Sequence, residues 1–109
     1  MNAGVVVDQV FAALADPTRR QLLEVLATSG GASASGLARQ LPVSRQAIAK
    51  HLQILAHAGL VDEQKRGREL CFEVEPRALR VTARWMERAA RRWDQRLDRI
   101  NQLAESSEI

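Results

Sequence analysis

Apolar residues near the start of the chain recur at the three- and four-residue spacing of a helix with one buried face. The first such set is Val6, Val7, Val10, Phe11 and Leu14. A second helix is predicted to start at Asp16-Pro17, because aspartate can cap a helix and proline fits its first position. The glycine pair at 30–31 is predicted to end this second helix.

Two further short helices are predicted on either side of Pro42, which ends the first of them. Ser33 and Ser44 are suitable N-caps for these two helices. The second helix is expected to run to about His57, where Gly59 suits a left-handed C-cap. Two short helices joined by a tight break form a helix-turn-helix pattern.

After residue 60 the apolar spacing becomes alternating, which is typical of a half-buried strand. The inward set is Leu70, Phe72 and Val74, and the outward set is Glu69, Cys71 and Glu73. A partner strand is predicted to begin at 60–61, with a basic turn at 65–68, and an apolar stripe from Leu79 to Ala104 predicts one long helix. The predicted fold is mainly α with a small β-hairpin wing, in the order α-α-α-α-β-β-α. This is a winged helix-turn-helix.

Length and composition limit the class of protein. The chain has 109 residues, the size of a single domain, which we assign to residues 1–109. Its net charge of +3, from 16 Lys and Arg against 13 Asp and Glu, is too small to identify a polyanionic partner by itself. No apolar run approaches the roughly 20 residues of a membrane span, and no basic segment precedes the valines at 5–7, as a signal peptide would require. The expected location is therefore the cytoplasm, without a membrane partner.

The sequence lacks the patterns of catalytic and cofactor sites. It has no glycine-rich phosphate loop, nucleophile elbow or metal-ligand cluster, and the spacing of His51 and His57 does not place both on one helical face. Cys71 is the only cysteine, which excludes a disulfide within the chain. An inert strand cysteine is the simpler interpretation, since a redox switch would need a second thiol from another molecule. We expect a protein that is not an enzyme and has no cofactor.

The polar face of the fourth helix carries side chains suited to the major groove. Glutamine and arginine contact base edges bidentately, and the amides at a helix start bind phosphate. The residues predicted to contact DNA on this helix are Ser44, Arg45, Gln46, Ala47, Ala49, Lys50, His51 and Gln53. Taken alone, this face is equally consistent with a solvated surface. The hairpin tip with Lys65, Arg66 and Arg68 favours DNA binding, because it can reach a neighbouring groove or phosphate strand.

The elements above resemble those of the ArsR family of bacterial winged-helix repressors. The resemblance is carried by Leu-Ala-Asp-Pro-Thr-Arg-Arg at 14–20, Leu-Ala-Arg-Gln-Leu at 37–41, Val-Ser at 43–44, Ala-Ile-Ala-Lys-His-Leu at 47–52 and Leu-Ala-His-Ala-Gly-Leu-Val at 55–61. It covers residues 8–76. The resemblance implies a homodimer that binds an operator through both fourth helices and represses by blocking the promoter.

The chain departs from the metal-sensing members of that family. Ser33 and Ser35 stand at the aligned positions where such members carry cysteines, and no histidine follows His57. The carboxylates of the last helix have arginine neighbours at helical spacing and are more simply interpreted as ion-pair partners. No metal site is therefore expected.

The last helix carries a wide apolar stripe that one small core cannot cover. The same helix and the first helix of a second subunit would cover it and form a two-fold homodimer. The residues predicted at this interface are Val10, Phe11, Trp85, Ala89, Trp93, Leu97 and Ile100. Plain packing is the simpler interpretation of Trp85 and Trp93, and the alternative makes them walls of an effector pocket between subunits. The arginines of this helix are interpreted as a solvated face, with an acidic ligand as the alternative.

The sequence therefore predicts a homodimeric repressor that binds double-stranded DNA at a near-palindromic operator. Residues 5–76 form the expected DNA-binding core and wing, and residues 78–104 the dimerisation helix. An unknown small-molecule effector is left open. The alternatives are a dimeric winged-helix module that binds protein, and a thiol- or ligand-responsive activator. Neutralising Arg45 and Lys50 distinguishes the protein-binding module, because docking through the last helix would survive that change.

Overall fold

A computed structural model describes residues 2–106 of the chain. Its elements are α1 (Ala3–Leu14), α2 (Pro17–Ser29), β1 (Ala32–Ser33), α3 (Ala34–Ala38), α4 (Arg45–His57), β2 (Val61–Arg66), β3 (Glu69–Val74) and α5 (Arg77–Ser106). The predicted five helices and the hairpin are confirmed, so the fold is a mainly helical winged helix-turn-helix. The predicted order is wrong in one respect, because the short strand β1 lies between α2 and α3.

The helix starts follow the capping chemistry of the sequence. Asp16 caps α2 by accepting hydrogen bonds from the amides of Thr18, at 2.8 Å, and Arg19, at 3.3 Å. Pro17 is the first residue of that helix, as predicted. Ser33 and Ser44 cap α3 and α4 in the same way. These caps satisfy amides that have no partner within the helix, and so they fix where each helix begins.

Gly59 ends α4 and directs the chain into the wing. Its φ is 76°, a left-handed value that is costly for residues with a Cβ atom. The Gly59 amide donates to Ala56 O at 3.0 Å and the Leu60 amide to Leu55 O at 2.9 Å, the two bonds of a Schellman motif. The hairpin therefore starts directly beside the last turn of α4.

The sheet has three antiparallel strands in the order β1-β3-β2. Ala32 pairs with Phe72 and Ser33 with Cys71, so β3 is the central strand. Arg66 pairs with Glu69, which leaves a turn of only two residues, 67–68, rather than the four that were predicted.

Leu70 does not share the buried face predicted for its strand. Its side chain is 43% exposed, whereas Phe72 on the same face is buried. Leu70 pairs with Lys65 near the turn, in the part of the hairpin that extends beyond the helices. The apolar positions of an alternating strand pattern are thus buried only where helices cover the sheet.

The core forms where α1, α2, α3 and α4 meet the base of the sheet. Its most completely buried large side chains are Val10, Leu22, Leu26, Leu37, Ile48, Leu52, Leu55 and Leu60. The assignment of Val10 to the dimer interface is therefore wrong, because Val10 is fully enclosed within its own subunit. Its neighbour Phe11 points outward and meets Trp85 in an edge-to-face contact, with ring centroids 5.8 Å apart.

Helix α5 packs on the core only through its first turns. Ala78 and Thr82 are its buried residues, and α1 lies against this part of the helix. The remainder projects, so the molecule measures 74 Å along its longest axis and 20 Å along its shortest. The exposed apolar side chains of this helix are Trp85, Met86, Trp93, Leu97, Ile100 and Leu103. Among residues 2–106, no helix is long and apolar enough to cross a membrane.

Candidate nucleic-acid interface

Helix α4 divides into a buried and an exposed face, as predicted. Ile48, Leu52 and Leu55 are completely buried. Their burial fixes the rotation of the helix and turns the polar positions outward. The predicted contact residues that lie exposed on α4 are Ser44, Arg45, Gln46, Ala49, Lys50 and Gln53, while Ala47 and His51 are partly buried.

The serine hydroxyls around the helix-turn-helix are already engaged. Ser44 accepts from the Ala47 amide at 3.2 Å as the cap of α4. Ser35 accepts from Arg45 Nε at 2.9 Å, which ties this arginine of α4 to α3. This bond orients the Arg45 side chain. The other N–H groups of the guanidinium do not take part in it and can donate to a ligand. The sequence identifies Ser35 only as the residue at the position of a metal-ligating cysteine, and no local pattern predicts its contact with Arg45.

His51 lies in a local network on the inner edge of α4. Its Nδ1 is 3.3 Å from Arg19 Nη1, at the α1–α2 corner. An arginine only donates, so Nδ1 accepts and the ring hydrogen sits on Nε2. The structure thus assigns His51 a contact within the protein, and its predicted contact with DNA rests on Nε2 alone.

The corner beside His51 also alters the titration of Asp16. Partial desolvation acts to raise the pKa of the Asp16 carboxyl, but the hydrogen bonds from the amides of Thr18 and Arg19 and the positive charge of Arg19 act to lower it. The result is a pKa below the ordinary aspartate value. Asp16 is therefore a charged cap for α2 under physiological conditions.

The wing presents the predicted basic tip. Lys65, Arg66 and Arg68 are exposed, and none forms an ion pair with another described residue. Two side-chain contacts brace the hairpin below this tip. Gln53 Nε2 of α4 donates to Glu63 Oε1 at 3.4 Å. Gln64 Nε2 donates to Glu73 Oε1 across the strands at 2.7 Å.

A cleft with a volume of about 330 Å³ joins the helix-turn-helix to the wing. It is lined by Ser33, Ala34 and Ser35, by Arg45, Ala49 and Gln53 of α4, and by Arg68, Glu69, Leu70 and Phe72 of the wing. The structure therefore brings Arg45, Ala49, Gln53 and Arg68 to one recess. Gln46, Lys50, Lys65 and Arg66 lie outside its lining.

The remaining candidate groups do not form a metal centre. No cluster of three or more His, Cys, Asp or Glu side chains among residues 2–106 has a geometry suited to a metal ion. Cys71 is a partly buried free thiol on the central strand. On α5, Glu87 and Arg91 approach to 3.9 Å, which agrees with the ion pairing predicted for the carboxylates of this helix. Asp94 and Asp98 form no ion pair with any residue between 2 and 106, so for them that prediction is not met.

Comparison with known proteins gives consistent matches. Residues 14–64 match a family model described as a helix-turn-helix domain. The HTH-type transcriptional regulator Rv2034 of Mycobacterium tuberculosis is 36% identical over 99 residues, covering 91% of this chain and 89% of that protein. The transcriptional repressor SdpR of Bacillus subtilis is 30% identical, covering 72% and 87%.

Solved structures agree with these sequence relatives. An ArsR-like transcriptional regulator from Rhodococcus sp. RHA1 superposes with a TM-score of 0.84 and 48% identity, covering 92% of this chain and 93% of that one. A homodimeric winged helix-turn-helix DNA-binding domain from Mycobacterium bovis has a TM-score of 0.64 and 26% identity, covering 78% and 79%.

Proposed function

The chain belongs to the ArsR-like family of winged helix-turn-helix transcriptional regulators, and from that premise we propose that it is a homodimeric repressor of a near-palindromic operator. It is a DNA-binding regulator, a class distinct from enzymes. The observation that carries the proposal is the arrangement of α4 and the wing. Arg45, Ala49 and Gln53 of the exposed α4 face line one cleft with Arg68 of the basic tip, so a duplex can meet the helix and the wing together.

The contacts on DNA divide by chemistry. Gln46, Arg45 and Lys50 carry the groups that recognise base edges in the major groove. Lys65, Arg66 and Arg68 carry charge without an acidic partner among residues 2–106. They contact phosphate, which supplies affinity but no sequence information. The start of α4 adds amides that bind a phosphate oxygen.

Dimerisation follows from the uncovered apolar side of α5. Trp93 is 63% exposed and Leu97 55% exposed, and both lie on the part of the helix that projects from the core. A second copy would remove these side chains from water and bring two α4 helices into two-fold symmetry. Half-sites about 34–36 Å apart would then be contacted together, which explains a near-palindromic operator.

Repression by occlusion needs only this binding. A dimer seated over promoter DNA excludes the polymerase without further chemistry from the protein. SdpR of Bacillus subtilis is named as a repressor, which supports this direction of regulation. Because the proposed partner is operator DNA inside the cell, we place the protein in the cytoplasm.

The test is fluorescence anisotropy with the DNA upstream of the protein's own gene and a scrambled duplex, at two salt concentrations. Tight, salt-sensitive binding that prefers the upstream DNA is expected. An Arg45→Gln, Lys50→Gln double variant should lose this preference while remaining dimeric. The protein-interaction module would be established instead if neither duplex is bound, and if wild type and the Arg45→Gln, Lys50→Gln variant both bind a partner protein.

A further inference from the structure

Positive charge is distributed unevenly between the DNA-binding part and the last helix. Residues 1–76 contain eight Lys and Arg and eight Asp and Glu, so their charges balance. Helix α5 contains eight arginines and four carboxylates, an excess of four. The net positive charge of this DNA-binding protein is therefore located on α5, outside the helix-turn-helix and the wing.

Most of these arginines share one face of α5. The arginine ridge is defined as Arg77, Arg80, Arg84, Arg88, Arg91 and Arg99. Successive members are three, four or eight residues apart, and Gln95 occupies the intermediate position in the eight-residue step. At this spacing the side chains form a row about 33 Å long. The row lies on the side of the helix opposite Trp93 and Leu97, so dimerisation through the apolar side leaves it exposed.

The ridge is largely without neutralising partners. Its side chains are all exposed. Arg77 lies 4.0 Å from Glu75 and Arg91 lies 3.9 Å from Glu87. The other four, Arg80, Arg84, Arg88 and Arg99, form no ion pair with any residue between 2 and 106. Like charges four residues apart repel on a helix. A ligand that carries a matching row of negative charge would reduce this repulsion.

We propose that the arginine ridge binds the phosphate backbone of duplex DNA flanking the operator. The inference rests on the proposed function, since it assumes that α4 and the wing hold the operator. Phosphate contacts supply most of the sequence-independent affinity of DNA-binding proteins. The acidic side chains of residues 1–76 balance the basic ones, so α5 is the element that adds net positive charge to the contacts of α4 and the wing. Arginine provides a planar fork that matches phosphate. The ridge is about as long as one turn of duplex, about 34 Å.

A lipid surface fits this helix less well than DNA does. A basic amphipathic helix binds a bilayer by inserting its apolar side among the lipid chains. In α5 that side carries Trp93 and Leu97, which the second subunit covers in the proposed dimer. The arginine ridge remains available in the dimer, and the nucleic acid is already bound to the same molecule.

The test compares salt dependence on two duplexes, the upstream fragment trimmed to the footprint that the triple glutamine variant described next protects, and the same fragment with unrelated flanks. The variant replaces Arg80, Arg84 and Arg88 by glutamine, which keeps a good helix former at each position. Wild type should show a steeper slope of log affinity against log salt on the flanked duplex, by about 0.9 for each added phosphate contact. The triple glutamine variant should lose this added slope and bind the flanked duplex at least tenfold more weakly. The matching lysine triple, which retains the charge, should keep most of it.

A gain-of-charge variant provides an independent check. Gln95→Arg fills the gap in the ridge and should steepen the slope on flanked DNA by about one more phosphate contact. Gln21→Arg adds the same charge on the exposed side of α2 and should not. A gain that is equal in both variants would indicate net charge alone and would overturn the proposal.

Failure of the ridge and failure of the operator proposal give different results. Wild type and the glutamine triple could show equal slopes of log affinity against log salt on flanked DNA. This result would overturn the proposal that the ridge binds flanking DNA, even if the trimmed operator is bound tightly. Lack of preference for upstream over random duplex would overturn the operator proposal, while a ridge effect would still be seen on the random duplex. Binding to phosphatidylglycerol vesicles that the glutamine triple loses, with DNA binding unchanged, would assign the ridge to a membrane instead.

Discussion

Arg19 and His51 connect the α1–α2 corner to helix α4 through a 3.3 Å contact between Nη1 and Nδ1. The same guanidinium donates from Nε to Ala13 O and from Nη2 to Ala12 O, at the end of α1. It also lies 3.7 Å from Asp16 Oδ2. One side chain therefore holds the end of α1, the start of α2 and the inner edge of α4 in one arrangement.

Replacing Arg19 should destabilise the fold more than replacing its neighbour. Arg19→Gln leaves carbonyls at the end of α1 and His51 Nδ1 without their charged donor, so the free energy of unfolding should fall by about 1–3 kcal/mol. Arg20→Gln is the matched control, because Arg20 is exposed and donates to one carbonyl, Leu14 O. Urea unfolding followed by circular dichroism measures both. Similar losses in the two variants would contradict a special role for Arg19.

Asp16 should make stability depend on pH in the acid range. Its pKa is lowered in the folded state, so the unfolded chain takes up the proton more readily. The stabilisation is therefore present above the ordinary aspartate pKa of about 3.9 and is lost as pH falls through the lower folded value. Asp16→Asn should show a flatter profile of unfolding free energy between about pH 5 and pH 2. Asp8→Asn, at an exposed position on α1, is the control and should follow wild type.

Gln46 should affect which sequence is bound. It is exposed on α4 and forms no described side-chain hydrogen bond, so its amide is available to a base edge. Gln46→Ala should cost about 1–3 kcal/mol against the preferred base at one position of each half-site, with little change on other sequences. Competition anisotropy with single-base operator variants measures this. A uniform loss on all duplexes would mean that Gln46 contacts the backbone.

Arg66 should affect how strongly any sequence is bound. It lies in the last pair of the hairpin before the turn and has no ion-pair partner among the described residues. Arg66→Ala should weaken operator and scrambled duplexes alike and lower the salt slope by about 1 per subunit. If Arg66→Ala weakens binding of the operator alone, Arg66 contacts a base edge and not the phosphate backbone.

Leu97 should hold the dimer together. Burying a leucine contributes about 1.5–3 kcal/mol, and the two-fold axis doubles the effect. Leu97→Glu should therefore raise the dimer dissociation constant by roughly 100-fold or more, while the helical content of the subunit persists. Sedimentation velocity and circular dichroism measure the two quantities. Gln95→Glu introduces the same charge on the other side of α5 and should leave the dimer intact.

Local sequence determined the helix boundaries and the exposed face of α4. Asp16-Pro17, Ser44 and Gly59 act on amides and carbonyls within a few residues, so their roles could be predicted before the chain was folded. The apolar spacing that ends in Leu55 likewise fixed which polar positions of α4 turn outward. The long amphipathic α5 was predictable for the same reason.

Tertiary packing decided the features that depend on residues distant in the chain. Strand β1 exists because Ala32 and Ser33 meet β3, which lies about forty residues further on. Val10 and Phe11 are both apolar, and only the position of the other helices buries the first and leaves the second exposed. The partners of His51 and Arg45 were likewise set by packing. A cap or an apolar period is encoded within one or two helical turns, whereas a hydrogen bond such as that between Arg19 and His51 forms only after the intervening chain has folded and brought the two side chains together.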